Sequence, residues 1–334
     1  MFNGFNLSTI QDAKFGNSQV SSIYYGTHLV WPTTPPPHDY SLDYFTIEIT
    51  SSMTGHKLEL YWYTNDTNYA LTIDYSTDNG STWTSITASS RTTGSSIGNF
   101  IGRFNAGDKV LFRGNNSKYS DGTWINQFTV DGVGSLDVYG NIMSLIYGNN
   151  FIGTDTLTDT YVFYEFFYNL PIDNSINLVL PATTLTDYCY ARMFMYWTVN
   201  NLQTTIQKLP ATTLADHCYY QMFSRCDSII TGPDILATNL TNFCCFQMFN
   251  QCISLTTAPI LRATNLASMC YSNMFWGCSS LNYVKCYATD LSPFQCINNW
   301  MYNVSSTGTF YKDANTTWPS GDSGIPSGWT VINI

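Results

Sequence analysis

The sequence predicts a multi-domain chain: a small N-terminal β module, an antiparallel β-sandwich, then an α/β repeat solenoid closed by a C-terminal β cap. Three observations carry this. All ten cysteines fall between Cys189 and Cys296, at regular steps. Residues 40–134 alternate apolar and polar side chains between turn signals. A proline run, Pro32-Thr33-Thr34-Pro35-Pro36-Pro37, separates a short head from the rest of the chain. The expected units are a module at 1–31, a stiff Pro-rich linker at 32–39, a sandwich at 40–134, a solenoid at 135–308 and a cap at 309–334.

At 334 residues the chain is long enough for two or three folding units. Charged residues are only 11%, against roughly 25% in an average globular protein, while aromatics reach 16%. Thirteen basic and twenty-three acidic residues leave a net charge of −10. Nucleic acid is therefore not expected as a partner, since its binding rests on Lys/Arg neutralising phosphates. Anionic membrane surfaces are disfavoured for the same reason, and no apolar run approaches the ~18 residues of a spanning helix. The start, Met1-Phe2-Asn3-Gly4-Phe5, carries neither a basic nor an apolar leader segment, so export by that route is not expected.

In the sandwich region the alternation is clearest at Phe45-Thr46-Ile47-Glu48-Ile49 and Leu71-Thr72-Ile73-Asp74-Tyr75. Short strands at that spacing predict an Ig-like antiparallel sandwich. Within it, Ser76-Thr77-Asp78-Asn79-Gly80-Ser81-Thr82-Trp83 fits the Asp-box of sialidases and other carbohydrate-active propellers. That motif shapes a hairpin with the Trp packed beneath it. Such propellers carry several copies, and one copy reads as a structural hairpin.

The cysteines expose a repeat. Leu185, Leu214, Leu240, Leu266 and Leu291 each follow an Ala-Thr-x start, at separations of 29, 26, 26 and 25. Four residues on come Cys189, Cys218, Cys244 and Cys270; eight and nine on, a Met-Phe pair; twelve on, Trp197, Cys226, Cys252 and Cys278. Positions 0, 4, 8, 9 and 12 share one side of an α-helix, with Thr before the leucine as N-cap. Ser254-Leu255-Thr256-Thr257 and Ser280-Leu281-Asn282-Tyr283 read as short strands. A helix plus a strand at this period predicts a leucine-rich-repeat solenoid. Cysteine at a fixed place in each rung reads as a stacked, buried thiol, because zinc sites need paired Cys-x-x-Cys or nearby His. No metal or cofactor is expected.

Two enzyme motifs are weighed and set aside. Gly321-Asp322-Ser323-Gly324 looks like a serine-protease nucleophile loop, but too few residues follow it for a substrate pocket, and it reads as a turn. His28, His38, His56 and His217 are scattered, with no HExxH, GxGxxG or Walker pattern.

The unit Ala-Thr-(Thr/Asn)-Leu-x-x-x-Cys-x-x-x-Met-Phe-x-x-Cys resembles the BspA-like leucine-rich repeats of gut bacterial surface proteins and of virion proteins from phages infecting Bacteroides. The head segments Ile10-Gln11-Asp12-Ala13-Lys14-Phe15-Gly16 and Ile23-Tyr24-Tyr25-Gly26 are similar to the N-terminal module of such phage proteins. Val138-Tyr139-Gly140-Asn141 and the ending Gly324-Ile325-Pro326-Ser327-Gly328-Trp329 add to the likeness.

The resemblance implies a non-enzymatic virion fibre or decoration protein, assembled in the host cytoplasm. Its implied partners are capsid or tail proteins, further copies of itself, or host-surface glycans. A carbohydrate-active enzyme on capsule polysaccharide and a bacterial adhesin are the alternatives. If each unit is a helix, Tyr220, Phe246 and Trp276 lie on its outer face in consecutive rungs, and these are the expected binding residues.

Overall fold

A computed structural model describes residues 14–15, 18–19, 23–25, 28–31, 38–50, 55–63, 71–90, 99–130, 135–168, 170–196, 206 and 208–334. The chain divides into two compact units, Met1–Asp39 and Tyr40–Ile334. The first contains two antiparallel pairs: β1 (Lys14–Phe15) with β2 (Ser18–Gln19), and β3 (Ile23–Tyr25) with β4 (His28–Trp31). The proline run at 32–37, the head residues 10–13 and Trp197 lie outside the described residues.

The second unit begins as two sheets. The larger has the order β14–β13–β5–β11–β7–β8: Ile172–Asn174, Leu136–Asn141, Phe45–Ile49, Lys109–Arg113, Thr72–Ser76 and Thr84–Thr87. Strand β15 (Leu178–Val179) also pairs with β13. The smaller sheet joins β10 (Asn99–Phe104), β6 (His56–Tyr63) and β12 (Ile125–Val130), with β9 (Ser89–Ser90) beside β6. Alternation does its work here: Phe45, Ile47, Ile49, Val110 and Phe112 face inward and are fully buried. Rings from the two sheets meet between them, Phe112 and Phe128 at 4.7 Å and Phe45 and Phe128 at 6.1 Å.

The expected fold class is corrected at two points. The larger sheet does not end at 134: β13 pairs antiparallel with β5, then continues into parallel β14 and β15. This is not a closed antiparallel Ig-like sandwich, and the expected borders at 134 and 308 both fall inside one compact unit. The second correction is larger. The α/β leucine-rich-repeat solenoid does not form, because the described residues of the repeat units contain no helix. The one α-helix among the described residues is α1, Ser144–Tyr147.

Each expected helix is instead a run of turns. In the unit after Leu214, N–H groups alternate in direction. Those of Cys218, Tyr220, Met222, Ser224 and Cys226 donate three residues back, to Ala215, His217, Tyr219, Gln221 and Phe223. Those of His217, Tyr219, Gln221, Phe223 and Arg225 donate across to Asn242, Cys244, Phe246, Met248 and Asn250 of the next unit. Every fourth residue closes a turn with positive φ: His217 (59°), Gln221 (52°) and Arg225 (60°), then Phe243, Gln247 and Gln251, then Met269, Asn273 and Gly277. Left-handed backbone costs an L-residue roughly 1–2 kcal/mol, so this geometry needs the lateral hydrogen bonds and packing that offset it.

A four-residue turn repeat places positions 0, 4, 8 and 12 on one side just as a helix does, which is why spacing alone misled. Between the turn runs the threonines expected as N-caps form bridges instead, Thr156 to Thr184 to Thr213 and, in the same place, Asn239 to Asn265 to Asp290. Single short parallel pairs recur, as β16 (Lys208–Leu209) with β17 (Asp234–Ile235). The chain closes with a parallel sheet of β18 (Tyr283–Lys285), β19 (Thr309–Lys312) and β20 (Thr330–Asn333).

Candidate functional site

The three residues expected on an outer helical face are placed differently by turns. Tyr220, Phe246 and Trp276 are all half-buried. Tyr220 and Phe246 stack on each other, with ring centres 5.4 Å apart and planes 3° apart. Trp276 stacks on Tyr302 at 5.5 Å. The structure thus joins two of the three into one stack and leaves the third in another. Each has a ring face committed to a neighbour, so these faces are not free platforms for a sugar ring. A second column runs beside them: Tyr161, Tyr188, His217 and Phe243 stack at 4.6, 4.4 and 4.6 Å. Burial holds the His217 imidazole below its ordinary pKa, against the opposing pull of Asp216 and Asp187. Its place in the column gives it a packing role.

All ten cysteines are free and buried. Burial pushes the thiols of Cys189 and Cys286 up to about 12, away from the reactive thiolate range. They are more than small apolar fillers. The thiols of Cys226, Cys252 and Cys278 donate to the carbonyls of Phe194, Phe223 and Phe249 in the preceding unit, at 3.0, 3.0 and 2.9 Å. Among the described residues no group of three His, Cys, Asp or Glu is arranged to hold a metal ion, and no helix is long and apolar enough to cross a membrane.

The protease-like loop is a terminal cap. Gly324 lies so close to Pro319 that a Cβ there would sit 1.9 Å from the Pro319 carbonyl oxygen. The Ser323 hydroxyl accepts from the Asn299 N–H at 2.8 Å, and the Asp322 carbonyl accepts from Met301 N–H at 3.0 Å. These are donors that inner units send to the next rung.

Polar side chains converge instead on the larger sheet. Asp78 ties the Asp-box hairpin by accepting from Thr82 N–H at 2.8 Å, Thr82 hydroxyl at 2.6 Å and Ser76 hydroxyl at 2.7 Å. Those bonds, the Thr82 hydroxyl first, hold its carboxyl down at about 2. Trp83 at the hairpin's end folds back against the turn, its indole Nε1 donating to the Gly80 carbonyl at 3.1 Å, and the Arg113 guanidinium lies 4.2 Å from its ring centre. Arg113 leaves the end of β11 next to β7, and its Nε donates to Asp74 at 3.1 Å. Its Nη1 donates to Asn149 Oδ1 at 2.7 Å, and Tyr44 donates to the same oxygen at 2.9 Å.

The 3-10 turn Gly148–Asn150 follows α1 and forms the far wall. Gly148 has φ 54°, and a Cβ there would meet Asn115 Oδ1 at 2.8 Å, so glycine lets the two loops approach. Between them is an open cleft of about 230 Å³ lined by Asp74, Arg113, Asn115, Tyr147, Asn149 and Asn150. Sequence reasoning missed it, because its residues come from three separate segments. The paired amides Asn115-Asn116 and Asn149-Asn150, each next to a glycine, were the available signal.

Compared with models of protein families, with curated proteins and with solved structures, the chain matches none of them.

Proposed function

We propose that this protein is a non-enzymatic structural and attachment component of a phage particle, making contacts with other particle proteins and with glycans of the host surface. What supports the reading best is how the repeats are built. In each turn run every second main-chain donor goes to the neighbouring unit, and buried thiols and stacked aromatic rings add to the same contact. Such a body is fitted to hold surfaces in fixed register and not to move around a reaction. The ionisable side chains support the same view: Arg192 pairs with Glu165, Arg262 with Asp234 and Arg113 with Asp74, all as structural ties. The resemblance of the repeat motif and the head segments supplies the phage context.

The test is compositional. Purified particles are digested for mass spectrometry, and antibody against this chain is located on them by electron microscopy. The proposal expects the chain in fixed copy number at one structural location. Its absence from purified particles overturns the proposal.

A further inference from the structure

We propose that the cleft between β7, β11 and the Gly148–Asn150 turn binds one neutral saccharide ring through adjacent hydroxyls. This deepens the attachment reading, on which it rests, by naming the ligand class and by placing it on the larger sheet and not on the repeats.

The donor and acceptor inventory carries the inference. A guanidinium has five N–H donors. Arg113 uses one on Asp74 and one on Asn149, so three remain. Asp74 accepts from Arg113 through Oδ2 and from Ser85 hydroxyl through Oδ1 at 2.6 Å, which leaves acceptor capacity on both oxygens. The side-chain amides of Asn115 and Asn150 make no hydrogen bond to a described residue, and both line the cleft. Planar donors and acceptors thus alternate around a small space. Adjacent sugar hydroxyls, each able to donate and accept, match that alternation.

Stacking on Trp83 fixes the plane of Arg113, so its remaining donors are held ready and little side-chain entropy is lost when they are used. Tyr147, whose hydroxyl is held by the Thr156 carbonyl at 2.7 Å, sets an aromatic wall in place. Size restricts the ligand further. About 230 Å³ falls below the roughly 300–1,000 Å³ of pockets for drug-sized molecules, and suits a single ring of a longer chain.

Charge argues for a neutral ring. The Arg113 cation is already paired with the Asp74 anion, so an added carboxylate or sulfate meets a balanced pair. The chain as a whole carries −10, which repels polyanions.

Purified full-length protein is examined by saturation-transfer NMR with methyl glycosides of glucose, galactose and mannose at millimolar concentration, and with sodium glucuronate as the anionic arm. At least one neutral glycoside is expected to receive saturation. The double variant Asn115→Ala with Asn150→Ala is expected to weaken that binding about tenfold or more while leaving the melting temperature unchanged, since neither side chain ties the fold. No transfer to any of the three glycosides overturns the inference. So does binding that survives in the double variant, or glucuronate binding tighter than every neutral sugar. Sugar binding by a protein absent from particles would leave the cleft standing and remove the phage reading; a particle protein with an inert cleft would do the reverse.

Discussion

The hydroxyl of Ser323 accepts a hydrogen bond from the backbone N–H of Asn299 at 2.8 Å, in the place where an inner unit would offer the carbonyl of the next rung. Asn273, one unit earlier, sends the same N–H to Asn298 at 2.9 Å. The front of the stack is closed in the mirrored sense. Val162 has no preceding unit to accept from, and takes the Tyr119 N–H of the two-sheet region at 2.8 Å. The stack of hydrogen-bonded turns therefore passes main-chain groups at both ends to capping segments: the Asn299 and Met301 donors at the back and the Val162 carbonyl at the front.

Removing one of these caps has a defined cost. Ser323→Ala leaves the Asn299 donor without its acceptor, and is expected to destabilise by about 0.5–2 kcal/mol, as for a lost helix cap. Thermal unfolding of the variant measures it. A melting temperature equal to the parent's would show that water replaces the hydroxyl at no cost.

The thiols make a second prediction. Thiol-specific reagent should find close to ten reactive groups in denaturant without reductant, and almost none in the folded protein. Cys252→Ala takes the thiol donor from the buried Phe223 carbonyl, which keeps the Cys226 N–H, and is expected to cost about 0.5–1.5 kcal/mol. Cys252→Ser keeps a donor there and should cost less. Equal losses in the two variants would reduce the thiol to a space-filler.

The aromatic residues now carry an expectation about stability. Phe246→Ala removes one ring of the Tyr220 pair, and Trp276→Ala one ring of the Tyr302 pair. Each stack contributes about 0.5–1.5 kcal/mol beyond the area it buries. The double variant should unfold at a clearly lower temperature. An unchanged melting temperature would mean that these rings stand free in solvent.

A pH dependence arises in the larger sheet. Asp137 on β13 lies directly across from Glu48 on β5, and Lys109 on β11 pairs with the far side of Glu48. Burial first, then the nearby Asp173 and Glu48 charges, raise Asp137 to about 6 from 3.8. In the unfolded chain it releases its proton near the lower value. Between the two, the folded state binds more protons, so this group's contribution to stability falls as pH rises through that window. Asp137→Asn is expected to raise stability at pH 7 by about 1 kcal/mol, after discounting for solvent around the half-exposed carboxyl. It should change little at pH 4. Unfolding midpoints of both proteins between pH 4 and 7 check the sign.

Alternation made the strands of the two-sheet region legible, because Phe45, Ile47 and Ile49 can all be buried only in extended chain. The repeat register was equally legible from Leu185 to Leu291, and so was the burial of the cysteines. What the units are made of was not. A period near four suits both a helix and a chain of four-residue turns, and the lateral donors lie 25–29 residues away, where local pattern cannot see them. Composition held a clue: Cys, Phe, Tyr, Asn and Thr, which fill these units, are all weak helix formers. The cleft was illegible for a similar reason, since Asp74, Arg113 and Asn149 meet only through strand order.

The central claim, that each unit is a run of turns and not a helix, is tested most directly at Asn273. It lies midway along the expected helix and has φ 53°. Asn273→Gly and Asn273→Ala both remove the side-chain bond to Ser272, so their difference reports the backbone alone. In a left-handed turn glycine avoids a cost of roughly 1–2 kcal/mol that alanine bears, and the glycine variant should be the more stable. In a helix interior alanine wins by about 1 kcal/mol. Denaturant unfolding of the pair decides the matter: glycine above alanine is the predicted order, and alanine above glycine would contradict the turn-built rung.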